Sequence, residues 1–199
     1  ALKLLTQKFP GVKTSIVGFS EGALIASLLS VQTKVDGLFL LAPALRSVDE
    51  WFSYQFVAWP VELLKKNVKA DAAGMMTSDS LSEKSISLLP AMGQPWSVLD
   101  FNHDQKLSLT EEVIPGYQGF YAQVRGLLGT PDFAGWYESL KALPEFQKYA
   151  SAISAPVIQI YQGMDDAQMR WSWIVEDLNF FPVKPSLHLF PGLGHCFSP

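Results

Sequence analysis

The chain has 199 residues and is poor in several things that would point to particular functions. It holds one cysteine, Cys196, so an intrachain disulfide is excluded and the core must rest on packing. A lone thiol leaves the compartment open. With no signal peptide visible at the start, the reading leans to the cytoplasm. There are three histidines, and none forms a Cys/His cluster with metal-ligand spacing, so no metal and no cofactor is expected. The apolar runs fall far short of the roughly 20 residues that a membrane-spanning helix needs. Fifteen Lys and Arg are scattered against nineteen Asp and Glu, so nothing points to a nucleic-acid partner. Internal repeats and low-complexity tracts are also missing.

What is present is apolar mass: 48% of the residues are hydrophobic, enough for one sizeable core. Residues 1–9, ALKLLTQKF, fit the end of an amphipathic helix stopped by Pro10-Gly11. KTSIVG is β-branched and short, and predicts a buried strand. Residues 21–31, EGALIASLLSV, are apolar almost all round and predict a buried helix. VDGLFLLAPAL predicts a second strand, buried on both faces. Strand character returns at APVIQIYQG, followed by a helix over 167–180 and a last strand, SLHLF. Strands alternating with helices predict an α/β fold with a parallel sheet.

Between these segments, residues 46–154 have another character. They predict a helical insertion, with capping boxes at Ser47–Glu50 and Ser108–Glu111. Pro60, Pro90, Pro95, Pro115, Pro131 and Pro144 punctuate it. It carries two aromatic groups: Trp51, Phe52, Tyr54, Phe56 and Trp59, then Tyr117, Phe120, Tyr121, Phe133, Trp136 and Tyr137.

Residues 18–22 read Gly18-Phe19-Ser20-Glu21-Gly22, a G-x-S-x-G pattern between the first predicted strand and the helix after it. A serine on such a turn stands exposed, and its neighbours Gly18 and Gly22 carry no Cβ to clash across the bend. The helix behind it aims its N-terminal dipole at the serine. The bland alternative is a glycine-rich turn with a capping serine.

With this motif, Gly163-Met164-Asp165-Asp166 after one strand and Gly192-Leu193-Gly194-His195 after the last, the chain resembles the α/β-hydrolase family. The resemblance covers 1–45 and 155–199 as hydrolase core, with 46–154 in the position of a helical cap. It implies Ser20 as nucleophile and the backbone N–H of Glu21 as an oxyanion donor. It implies His195 as general base and Asp166 as the acid that orients it, with Asp165 the alternative if the turn is one residue tighter. The order Ser…Asp…His is the order this fold uses. His188, inside a strand, reads as a packing residue and His103 as a solvated one. Cys196 reads as structural, with a free thiol the alternative. Serine at the elbow argues against the haloalkane dehalogenase and epoxide hydrolase types, which carry aspartate there.

The function this implies is cleavage of carboxylic esters with a hydrophobic part through an acyl-enzyme. Phe19, Trp51, Phe52 and Phe56 are candidates to line the substrate, although aromatics of a cap also pack it onto a core. Rival readings on the same triad are an aminopeptidase of the proline-iminopeptidase kind, with Glu138 or Asp132 holding the substrate amine, and a thioesterase or acyltransferase. A catalytically dead binding protein is the rival from another class. A membrane-contacting lid would need an exposed apolar face. Since the family's nucleophile follows its fifth strand, a nucleophile at residue 20 predicts a partner in the form of an N-terminal segment of the same protein.

Overall fold

In the computed structural model, residues 2–77 and 96–198 are described; Pro90 and Pro95 lie outside them. The chain divides into two compact units, residues 1–51 with 142–199, and residues 52–141. The sequence placed the insertion over 46–154.

The first unit is built on four strands: β1 (Ser15–Phe19), β2 (Gly37–Leu41), β5 (Ile158–Gly163) and β6 (Ser186–Phe190). Their order is β1-β2-β5-β6, and every neighbouring pair is parallel. Flanked by helices, this is the parallel α/β sheet that the alternation of strands and helices predicts. The register sets Phe19 beside Leu41 and Gly163 beside Phe190, so the C-terminal ends of the strands lie along one edge. In open parallel sheets that edge is where ligands bind, because the loops leaving the strands gather there.

β2 is central, and its Leu38 and Leu40 are fully buried while Phe39 and Leu41 are half-buried. β1 departs from the expected buried strand: Val17 is 67% exposed and Phe19 43%. The reason is position, since β1 is the outer strand of the described sheet and only Gly18 within it is buried. After a first helix, α1 (Leu2–Lys8), helix α2 (Glu21–Gln32) packs on β1 and β2. It buries Ala23, Leu24, Ala26, Ser27 and Ser30, whereas Ile25 and Leu29 are exposed. Its buried face is small-residue rather than apolar all round, which lets helix and sheet approach closely. The buried hydroxyls are satisfied. Ser27 Oγ donates to Leu24 O at 2.7 Å and meets the Tyr149 hydroxyl at 2.8 Å. Ser154 Oγ donates to Ser30 O at 2.7 Å. These bonds tie α2 to the segment that returns the chain to β5. Burial pushes the Tyr149 hydroxyl up to about 12, with the Ser27 bond opposing it.

The helix after β5 starts later than expected, at Trp171, and ends as a 3-10 turn at Leu178–Phe180. Residues 167–170 are taken by a turn instead, because the Asp166 carboxylate captures the N–H groups of Gln168 and Met169.

The second unit holds helices Trp59–Asn67, Ile114–Leu128 and Pro131–Lys141. It also holds an antiparallel pair that the sequence did not suggest, β3 (Met75–Thr77) with β4 (Lys106–Ser108). Its own core contains Val61, Leu64, Val68, Met76, Leu99, Leu107, Val113 and Tyr117. Among the described residues no helix is long and apolar enough to cross a membrane.

Of the two capping boxes, the first forms as expected: Glu50 N donates to Ser47 Oγ at 3.3 Å, and Ser47 N to Glu50 Oε2 at 3.0 Å. The second shifts by one residue. Ser108 Oγ caps Glu111 N at 3.2 Å, but it is Glu112 that accepts from Ser108 N at 2.8 Å. The turn Leu109–Val113 is a π-helix, wider than an α-turn, and it brings the next glutamate round to the cap.

Asp177 is fully buried. Arg46 bonds it at 3.1 Å and its neighbour Glu176 at 2.8 Å, and the Gln147 amide donates to it at 3.3 Å. Burial raises its carboxyl above the ordinary 3.8, against the pull of Arg46 and Gln147. The native state therefore binds this proton more tightly than the unfolded chain. Stability that this group contributes below 3.8 is lost as pH rises through the raised value. Asp177→Asn removes that loss. In urea unfolding followed across pH, the variant's stability relative to the wild type is expected to climb over that interval.

Candidate active site

Three side chains from three strand ends meet in one hydrogen-bonded chain. Ser20 Oγ lies 2.8 Å from His195 Nε2, and His195 Nδ1 lies 2.8 Å from Asp166 Oδ2. Of the two aspartates left open by the sequence, the structure brings Asp166 to the histidine; Asp165 is exposed.

Ser20 joins β1 to α2 at φ 55° and ψ −124°, a conformation that costs a non-glycine residue about 1–3 kcal/mol. It is over-determined by backbone bonds. Ser20 N donates to Leu41 O at 2.9 Å, and Ser20 O accepts from Ala23 N at 3.0 Å and Ala44 N at 3.3 Å. The bend also needs Gly18. A Cβ there would run into Gly22 O and lie 2.5 Å from Ala23 Cα. Gly22 differs from the sequence expectation. A Cβ on it meets nothing within 4 Å, so the bend does not require its lack of a side chain. What the turn needs from residue 22 is its backbone, packed against Gly18. Glu21 opens α2 directly behind the serine, which sets its N–H at the helix N-terminus.

Asp166 follows β5 and its side chain is fully buried. Oδ1 accepts from Gln168 N at 2.8 Å and Met169 N at 2.9 Å. Oδ2 accepts from His195 and from Gln162 Nε2, the latter at 2.8 Å. An ionised carboxylate is acceptor-only and suits four such donors. Since it can only accept, the Nδ1 of a neutral His195 carries the proton and Nε2 is left to accept from the Ser20 hydroxyl.

His195 sits on the loop after β6, its side chain 8% exposed. That loop crosses the end of β5. Asp165 N donates to Leu193 O at 3.1 Å and Met164 N to Phe190 O at 3.0 Å. The crossing is possible because residue 163 is glycine. A Cβ there would strike Leu193 O and lie 2.5 Å from Gly194 O. The Phe19 ring packs 5.1 Å from the His195 ring, centroid to centroid.

The other candidates fall elsewhere. Trp51 is buried in the first unit. Phe52 and Phe56 belong to the second, half-buried in an aromatic run in which Phe56 also meets Phe120 and Tyr121. Glu138 pairs with Lys141 at 3.1 Å and Asp132 is exposed in the first turn of its helix. His188 is exposed rather than enclosed, its ring stacked on Tyr161 at 4.6 Å. His103 is exposed. Cys196 is an exposed free thiol, not a buried structural one, on a turn closed by the Phe197 N to Gly194 O bond at 3.0 Å. Among the described residues no cluster of His, Cys, Asp and Glu could hold a metal. Gln162 escaped the sequence reading. The signal available was a polar residue in phase with the inward Ile158 and Ile160 of β5.

No family model and no curated protein matches the chain. Solved structures similar to it include Est1E from Butyrivibrio proteoclasticus, 13% identical with a TM-score of 0.47, aligned over 100% of this chain and 59% of that one. A monoacylglycerol lipase from Paleococcus ferrophilus is 15% identical with a TM-score of 0.44, over 98% and 64%. The α/β hydrolase MGS-M2 from a Medee basin deep-sea metagenome library is 15% identical with a TM-score of 0.49, over 98% and 62%. The chain thus spans about three fifths of the length of these structures.

The three glycines separate cleanly on substitution. Gly18→Ala and Gly163→Ala each force backbone apart and are expected to destabilise by about 1–3 kcal/mol. Gly22→Ala, in open space on a helix, is expected to stabilise by about 0.5–1 kcal/mol. Urea unfolding of the three variants checks this.

Proposed function

We propose that this chain carries the catalytic machinery of a serine hydrolase that cleaves carboxylic esters with a hydrophobic part. The observation that supports it is the unbroken hydrogen-bonded chain Ser20–His195–Asp166, with the serine on a strained turn at the N-terminus of α2. A serine that merely capped a helix would bond its own helix through its side chain, and Ser20 makes no such cap bond.

In this reading Ser20 Oγ attacks the ester carbonyl carbon while its proton passes to His195 Nε2. Asp166 holds the ring in the required tautomer and balances the imidazolium that forms. The N–H of Glu21 donates to the developing oxyanion, and the dipole of α2 adds to that field. Collapse of the tetrahedral species breaks the bond to the alkoxy oxygen, which leaves as an alcohol with the proton from His195. Water then attacks the acyl-serine, giving its proton to His195 and regenerating Ser20 as the acid departs. The half-exposed Phe19 ring beside His195 supplies apolar surface for the hydrophobic part.

A serine-directed phosphonate probe tests the proposal. The wild type is expected to be labelled and Ser20→Ala not, and an unlabelled wild type overturns the reading. Asp166→Asn is expected to slow labelling by up to roughly 10⁴-fold through the wrong tautomer, while Asp165→Asn leaves it near the wild-type rate. Faster turnover of aminoacyl amides than of hydrophobic esters would replace the ester assignment.

A further inference from the structure

We infer that Gln162 is a positioning residue for this site, its carboxamide holding Asp166 Oδ2 in line with the His195 ring. What the hold serves rests on the hydrolase reading. Gln162 is fully buried in β5, at a position whose counterparts two and four residues earlier are Ile160 and Ile158. Burial there favours an apolar side chain. The amide instead points Nε2 at three acceptors: Asp166 Oδ2 at 2.8 Å, Gly163 O at 2.9 Å and Met169 O at 3.3 Å. Turning the amide over would set Oε1 against three oxygens, so its orientation is settled by the surroundings.

The other end of the amide shows that stability alone does not explain it. Oε1 is buried with no hydrogen-bond partner among the described residues, a condition that costs the fold. A methionine would fill the same space without that cost.

The geometry shows what the amide does. Asp166 Oδ1 is fixed by two backbone N–H groups of its own turn. Among the described residues Oδ2 is held by Gln162 and by His195, which rides on a separate loop. Without Gln162 the carboxylate can pivot about its anchored Oδ1, with Oδ2 left to the His195 contact, and the histidine moves with it. The contact to Met169 O also pins the 166–169 turn to β5.

The test compares Gln162→Met with the wild-type chain. The variant is expected to unfold at the same or a higher temperature, to react with the phosphonate probe on the order of tenfold more slowly, and to shift the downfield proton resonance of the His195–Asp166 bond. An unchanged resonance with a wild-type labelling rate overturns the inference. Should Gln162→Met not fold, Gln162→Glu keeps the length and replaces the donor with oxygen, and it is expected to slow labelling at neutral pH. In the wild type itself, the Gln162 side-chain amide protons are expected to exchange slowly with deuterium; fast exchange also overturns the hold. The two readings fail separately. An unlabelled wild type sinks the hydrolase proposal, whereas the resonance and the exchange report on Gln162 without any turnover.

Discussion

Close approach of backbone to backbone at two strand ends is the constraint on which the rest of this site depends. At the end of β1, Gly18 lies against the carbonyl of Gly22 and the backbone of Ala23, and the chain can turn sharply enough to raise Ser20. At the end of β5, Gly163 lies under the carbonyls of Leu193 and Gly194, and the loop from β6 can cross to deliver His195. A methyl group at either place would fill the space that the crossing backbone occupies. The glycines therefore fix distance, and distance decides whether a hydroxyl, an imidazole and a carboxylate form one chain of hydrogen bonds.

Around that constraint the fold divides its work between strained and satisfied groups. Ser20 adopts a backbone conformation that a side chain disfavours, and three backbone hydrogen bonds hold it there. Asp166 is the opposite case, a buried carboxylate with every oxygen engaged. Strain at the proposed nucleophile and saturation at the proposed acid are complementary. The half-buried serine must stay within reach of a substrate, and the acid must stay still to keep the ring between them in one tautomer and one orientation.

Much of this was legible in the order of residues. Gly18-Phe19-Ser20, Gly163-Met164-Asp165-Asp166 and Gly192-Leu193-Gly194-His195 are local turn sequences, and turn chemistry is written within a few residues. The parallel sheet was legible for the same reason, in short apolar runs separated by helical patterns. The misses have a common cause. Gly22 looked as necessary as Gly18, because spacing alone does not say what stands opposite a Cβ. Ser108 was paired with Glu111, because a π-turn that displaces the partner to Glu112 leaves no mark in a four-residue pattern. β1 read as buried, because its short β-branched run carries no information about which strand lies at the edge of the sheet.

The order of residues sets which groups are available for chemistry and in which turns they stand: Ser20, His195 and an aspartate at 165 or 166, each after a strand. Tertiary structure sets Asp166 rather than Asp165 against the His195 ring, since both occupy the same turn and differ in which one faces the loop after the last strand. It also brings the Gln162 amide to Asp166 Oδ2. The physical reason is that a side chain's partners are set by what other segments bring within 3 Å of it, and that depends on strand order and register, which no local stretch of sequence contains.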